Sequence, residues 1–287
     1  MIWKICSMRS INSKEIINHV KEMCIEANYK LASDVEAGIR EAFNSETSPL
    51  GKQILGQLCE NLDIAEKEQI PICQDTGMAV VYITIGQEVH IEGGPLEEAV
   101  NEGIRQGYQE GYLRKSVVSD PIIRENSKDN TPGIIHYEIV PGDSLEITVA
   151  PKGFGSENMS RIYMLKPADG IDGIKNAVLE TVKVAGPNPC PPIIVGIGIG
   201  GSFEKCAALA KKALIRDITK SSDKSHIRKL EEELLEAINA IGIGPAGLGG
   251  RTSALGVNIE TYPTHIAGLP VAINIGCHVN RHVTRSI

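Results

Sequence analysis

The sequence predicts an α/β fold, with α+β as its variant, in which a helical N-terminal part packs on a body that carries a mixed sheet. Three observations carry this prediction. Helix-period apolar patterns and β-branched runs alternate along the chain from Val80 onward. Before Pro71 the periodicity is helical only. A chain of 287 residues, 42% hydrophobic and 23% charged, is also long enough and apolar enough to bury a sizeable core. The expected organisation is a short extension over residues 1–10, then one module over 11–287. That module is helical over about 11–70 and sheet-bearing over about 71–287.

The elements follow in order. Glu15 to about Asn44 reads as one helix, with Ile16, Ile17, Val20, Met23 and Cys24 on its apolar side. A second helix is expected from about Leu50 to Glu68. Val80–Ile85 is β-branched and continuous, a buried strand. Pro95 suits a first helical turn, and Leu96, Ala99, Val100 and Ile104 form the stripe of a helix running to Glu110. From about Val118 to Pro132 the chain is polar and reads as a loop. Ile134–Val140 and Leu145–Val149 are strands, and Pro141-Gly142-Asp143 between them predicts a hairpin turn. Gly170–Val184, Phe203–Arg216 (N-capped by Ser202) and Ile227–Ile241 are helices. Ile193–Ile199 is a central strand and Pro270–Ile275 the last one.

Composition narrows the function. A net charge of −7 argues against a nucleic-acid partner, which calls for a basic face. No apolar run reaches the roughly eighteen residues of a membrane span, so no membrane association is expected. The first residues are too short and mixed for a secretory signal, Met8 reads as the alternative start, and a cytoplasmic location is expected. Seven cysteines in a reducing compartment speak against a disulfide framework. Cys24, Cys59 and Cys206 sit in helical patterns and read as small buried apolar residues, and Cys6 carries no signal.

The other three cysteines are framed differently. Cys73 lies in Ile72-Cys-Gln74-Asp75-Thr-Gly77, Cys190 in Asn188-Pro-Cys-Pro-Pro192, and Cys277 in Gly276-Cys-His278. Pro and Gly fix or release the backbone at each, so a side chain can be aimed. Such turns suit thiolates directed at a shared metal centre. Three thiolates are one short of an ordinary [4Fe–4S] cluster, and a cluster so held keeps one iron open as a Lewis acid.

Around these cysteines stand groups with two readings each. Asp75 is placed either to move a proton at a metal-bound oxygen or to open a turn through its own side chain. Arg114 can clamp a carboxylate or merely satisfy a helix C-terminus. Lys152–Asn158 carries glycines, Gly155 among them, whose N–H groups can approach an anion. His265 is a candidate site residue or a structural histidine. Gly196 to Lys205 resembles a nucleotide loop superficially, but it lacks the Gly-Lys-Ser/Thr ending and the full dinucleotide fingerprint. A non-catalytic zinc-stabilised protein is the remaining alternative, with His278 or His265 as fourth ligand.

Taken together, Ile72–Gly77, Leu113–Asp120, Lys152–Met159, Asn188–Pro192, Gly242–Gly250 and Gly276–His282 resemble the α subunit, or N-terminal half, of class I iron–sulfur fumarate hydratases. The resemblance runs from about residue 10 to the end. It implies that Cys73, Cys190 and Cys277 hold a [4Fe–4S] cluster with one open iron, and that Gln74, Asp75, Arg114, Gly155 and His265 face the substrate. It implies reversible hydration of fumarate to (S)-malate, with Asp75 donating the proton and His265 orienting Asp75 or substrate. The base that acts at C3 has no candidate in this chain. The resemblance therefore implies a separate β subunit that completes the site, in an α₂β₂ assembly. The α subunit of L-tartrate dehydratase shares the Cys-Gln-Asp-Thr-Gly and Asn-x-Cys-Pro-Pro cores and is the alternative. It differs around the arginine loop, the Lys152–Gly155 segment and the last Cys-His segment, where this chain sides with the fumarases.

Overall fold

The computed structural model describes residues 8–287, so Cys6 lies outside the described residues. In chain order the elements are β1 (Arg9–Asn12), α1 (Ser13–Tyr29), α2 (Ser33–Ser45), α3 (Pro49–Glu68), β2 (Met78–Gly86), β3 (Val89–Glu92), α4 (Leu96–Glu110), β4 (Ile134–Val140), β5 (Leu145–Lys152), α5 (Phe154–Glu157), β6 (Arg161–Leu165), α6 (Gly170–Ala185), β7 (Ile193–Gly200), α7 (Phe203–Ala213), α8 (Ser225–Ala240), β8 (Ala254–Tyr262), β9 (Leu269–Gly276) and β10 (Val283–Ser286). Helices alternate with strands, and both four-stranded sheets are mixed, so the fold is α/β in composition as expected. Among the described residues no helix is long and apolar enough to cross a membrane.

The chain forms two compact units. The first takes the chain up to Lys30, then Ala65–Lys152 and Arg281–Ile287; the second takes Leu31–Ile64 and Gly153–Asn280.

In the first unit the sheet order is β10-β5-β2-β4, with β1 and β3 paired apart. The predicted hairpin of β4 and β5 does not form. β2 lies between them, parallel to β4 and antiparallel to β5. The turn Pro141–Ser144 instead crosses the end of β2, where Ser144 O accepts from Gly86 N at 2.7 Å and Gly142 O from Glu88 N at 2.9 Å. A Cβ on Gly86 would meet Gly142 O at 2.1 Å, so the crossover needs a glycine there.

The expected helix from Glu15 to Asn44 is two helices. It breaks at Lys30, whose backbone is extended (φ −139°, ψ 135°). The Asn28 carbonyl accepts from Ile72 N at 2.9 Å, a long-range partner in place of the next helical turn. α1 packs on α4 with Val20 and Cys24 against Gly103 and Gly107. A Cβ on Gly103 would come 2.7 Å from Val20 Cβ, and one on Gly107 2.8 Å from Cys24 Cβ. Each glycine lowers helix propensity by about 1 kcal/mol relative to alanine, and the close approach of the helices is what it permits. Ile16, Val20, Met23, Ile83, Ile104, Tyr108 and Ile147 fill the core between this pair and the sheet.

The second unit has the order β6-β9-β7-β8, with β7 interior and every residue of it buried. β8 had no counterpart in the sequence reading. α6 and α8 contribute Val178, Val182, Leu234 and Ile238 to the core with Val195, Ile197 and Ile273. α7 packs on β7 and β9 through Cys206, Ala210 and Ala272. The glycines of β7 serve that packing: a Cβ on Gly196 would stand 2.2 Å from Ala210 O, and one on Gly198 2.0 Å from Cys206 O. The glycine pattern that resembles a nucleotide loop is thus accounted for by helix-on-sheet contact. Ser202 makes no capping bond to the helix backbone; its hydroxyl donates to Glu204 Oε1 at 2.6 Å.

Candidate functional site

In the first unit the chain leaves α3 and reaches β2 through the loop that carries Cys73, Gln74 and Asp75. Cys73 is half-buried and its thiol donates weakly to Gln74 Oε1 at 3.6 Å. Gln74 is exposed. Asp75 Oδ1 accepts from Gly77 N at 3.0 Å, so the turn expected from the sequence is real. The turn and an acid–base role are compatible, because a carboxylate has more than one acceptor site.

This loop is bonded to the Arg114 loop. Thr76 is buried, and its hydroxyl donates to Arg114 O at 3.1 Å. Asn130, fully buried, receives Ser116 N at 2.7 Å and Val117 N at 3.2 Å, and its amide donates to Gly77 O at 3.2 Å. The Tyr108 hydroxyl, also fully buried, stands 2.8 Å from Thr76 O and 3.0 Å from Gly77 O. Burial pushes the Tyr108 phenol well above its ordinary value, so it remains a donor. Arg281 Nη2 donates to Asp75 O. Cys73, Gln74, Asp75 and Arg114 therefore ride on one cross-linked platform, with the Arg114 side chain exposed.

Asn130 and Tyr108 went unread in the sequence. The available signal was the Asn-Thr-Pro at 130–132 inside a polar loop, where Asn130 adopts φ +63°, a region asparagine tolerates better than most residues.

The second unit carries the other two framed cysteines and Gly155. Cys190 is exposed, with φ +55°, and Cys277 is half-buried just after β9. Cys190 O accepts from His278 N at 3.4 Å and lies 2.9 Å from His278 Nδ1, which joins the two cysteine segments. Gly155 is exposed on α5, and among the described residues a Cβ there would find only Asn188 O within 4 Å, at 3.8 Å, so its backbone is approachable beside the Cys190 segment. α5 is held from below by a polar network missed in the sequence. Glu157 accepts from Lys211 Nζ at 2.5 Å and from Asn274 Nδ2 at 2.8 Å, and Asn274 also donates to Ser160 Oγ at 2.8 Å. His265 stands on the exposed turn between β8 and β9, where its Nδ1 accepts from Ala267 N at 3.2 Å.

The cysteines divide by environment. Cys24 is fully buried and its thiol is pushed up to about 12 by burial, while burial also raises Cys59 and Cys206. These keep their protons and stay inert; Cys24 and Cys206 are buried as expected, whereas Cys59 on α3 is only half-buried. Cys73, Cys190 and Cys277 sit outside helices and strands and are half-buried or exposed. Among the described residues no group of three or more His, Cys, Asp or Glu side chains is gathered to hold a metal ion. Cys73 belongs to the first unit, Cys190 and Cys277 to the second.

Comparison with known families matches residues 17–286 to the model described as fumarate hydratase (fumerase), a hydro-lyase family. The chain belongs to this fumarate hydratase family. It is 45% identical over 279 residues to a protein of Methanocaldococcus jannaschii provisionally named L(+)-tartrate dehydratase subunit alpha, covering 95% of this chain and 98% of that one. It is 31% identical over 286 residues to the L(+)-tartrate dehydratase subunit alpha of Escherichia coli strain UTI89, covering 96% of this chain and 93% of the relative. The subunit of the same name from Shigella sonnei is 30% identical over the same length.

Proposed function

We propose that this protein is the α subunit of an iron–sulfur hydro-lyase that hydrates fumarate to (S)-malate reversibly and works with a separate β subunit. The observation that carries the reading is the platform on which a cysteine, a carboxylate and an arginine are fixed to two bonded loops, in a chain of the fumarate hydratase family. Dehydration of L(+)-tartrate is the second reading, with equal support, because the relatives named above carry that activity in their names. The word "alpha" in those names supports the β subunit, and α₂β₂ is the proposed assembly.

Family membership implies an iron–sulfur cluster, and the donor set fits one. Cys73, Cys190 and Cys277 offer soft thiol ligands from partly exposed, irregular segments, the setting in which thiolates bind metal. We propose these three as its ligands. When bound, a cluster so held supplies Lewis acidity at its remaining iron.

The chain's own residues supply the rest. Asp75 holds the proton that a departing hydroxyl needs, and its Oδ1 bond to Gly77 N fixes the carboxyl in place. Arg114 clamps a substrate carboxylate with two parallel bonds. Gln74 and the Gly155 backbone orient the substrate. Because His265 Nδ1 accepts from Ala267 N, its Nε2 carries the proton and is a donor, which suits orientation of an oxygen rather than removal of a proton. The base that acts at C3 is assigned to the β subunit.

The test is co-expression with the β subunit, anaerobic reconstitution with iron and sulfide, and parallel assays of fumarate and L(+)-tartrate. Fumarate turnover that requires both chains and is lost in Cys73→Ser, Cys190→Ser and Cys277→Ser, with their iron and sulfide, is the expected result. Turnover of tartrate alone selects the second reading. Full activity from the isolated chain removes the β subunit from the mechanism.

A further inference from the structure

We propose that Arg281 is a positioning residue that sets the Cys73–Asp75 loop and places a buried positive charge against the anionic cluster ligated there. The proposal rests on the reading above that Cys73 is a cluster ligand.

Arg281 is only 4% exposed. A buried arginine is rare unless it is paired. Its Nη2 donates to the carbonyl of Asp75, two residues after Cys73. Among the described residues, its buried Nε and Nη1 have no hydrogen-bond partner. The guanidinium is planar, with its donors in a fixed fork. Bonding Nη2 to a carbonyl therefore fixes the orientation of the other two nitrogens as well. Two buried N–H-bearing nitrogens on a full positive charge are costly to leave unmatched, so the position calls for an anion. Three thiolates and the cluster's own sulfides make such an anion, and hydrogen bonds and charges around the sulfurs set its potential. Arg281 also follows Cys277, a second proposed ligand, by four positions in the sequence.

The shared chemistry, an anion met by a fixed guanidinium edge, would also suit a substrate carboxylate, and the experiment separates the two. Arg281→Met and Arg281→Lys are compared with wild type in the reconstituted complex with the β subunit. Iron and sulfide content, cluster midpoint potential, kcat, KM and melting temperature are measured. We expect Arg281→Met to lower kcat by about 10–100-fold, the usual scale for residues that support metal ligands, with KM nearly unchanged. Its cluster potential should move to a more negative value, because a positive charge that favours the reduced cluster is gone. Arg281→Lys should keep the wild-type potential and recover part of kcat.

A cluster-loaded Arg281→Met with wild-type kcat and potential overturns the proposal. A large rise in KM with unchanged potential also overturns it, and makes the site a carboxylate subsite. So does a lower melting temperature with wild-type activity per cluster, which leaves Arg281 a purely structural residue. If wild type takes up no iron and sulfide, the underlying reading fails and takes this one with it. Variants that keep wild-type kcat and potential beside a loaded, active wild type sink this proposal alone.

Discussion

Glu46 offers the sharpest test of how the second unit is held. It is 4% exposed, at the end of α2, and its carboxylate collects backbone N–H groups from two places. Oε1 accepts from Thr47 N and Ser48 N, both at 2.9 Å. Both oxygens take Arg251 N, at 3.0 and 2.9 Å, and Oε2 takes Thr252 N at 3.3 Å. The glycine-rich segment that ends at Thr252 is thereby tied to α2. Burial acts to raise this carboxyl, but the backbone donors outweigh it together and hold the group below the ordinary glutamate value.

Glu46→Gln keeps the shape. It turns one acceptor into an NH₂ that faces backbone donors, and it removes the charge from the remaining bonds. Bonds to a charged group contribute about 1.5–3 kcal/mol and neutral ones about 1, so the loss over this cluster comes to about 2–4 kcal/mol. For a chain of this size that lowers the melting temperature by roughly 3–7 °C. The sign with pH follows from the depressed value. The stabilisation is complete above the unfolded-state pKa and disappears as pH falls through the lower folded-state pKa. Melting of wild type and Glu46→Gln should therefore differ most near neutrality and converge in acid. A difference under about 0.5 kcal/mol at neutral pH, the range of an ordinary surface substitution, would refute the reasoning, as would a gap that widens in acid.

Two further outcomes test the site and the fold. Asp75→Asn keeps the turn, since an amide oxygen can still accept from Gly77 N, but it removes the titratable proton; kcat in the reconstituted complex should fall by about 10²-fold or more with iron and sulfide retained. A near wild-type rate would leave Asp75 as a turn residue only. Gly107→Ala adds a methyl 2.8 Å from Cys24 Cβ and Lys21 O, so in spite of better helix propensity it should destabilise by about 1–3 kcal/mol, read by urea denaturation. An increase in stability would show that α1 and α4 have room to separate.

Much of the local structure is legible in short stretches of the chain. β-branched runs gave β2 and β7, apolar stripes gave α4, α6 and α8, and Pro and Gly marked the loops that carry Cys73, Cys190 and Cys277. These follow from backbone geometry and side-chain shape within a few residues, so they can be read locally. The distinction between inert and accessible cysteines was legible for the same reason: Cys24 and Cys206 lie on apolar helix faces, and the structure buries them.

Tertiary structure decided what depends on distant partners. Any strand offers the same N–H and C=O groups to any neighbour, so nothing near Pro141–Asp143 said that β2 would enter between β4 and β5. The break at Lys30 accompanies a bond between Asn28 O and Ile72 N, more than forty positions away in the sequence. Gly103 and Gly107 look like weak points of a helix until α1 is laid against them. Asn130, Glu46 and Arg281 are ordinary polar letters in the sequence. Only burial makes their hydrogen bonds compulsory, because a polar group withdrawn from water must find its partner inside the protein.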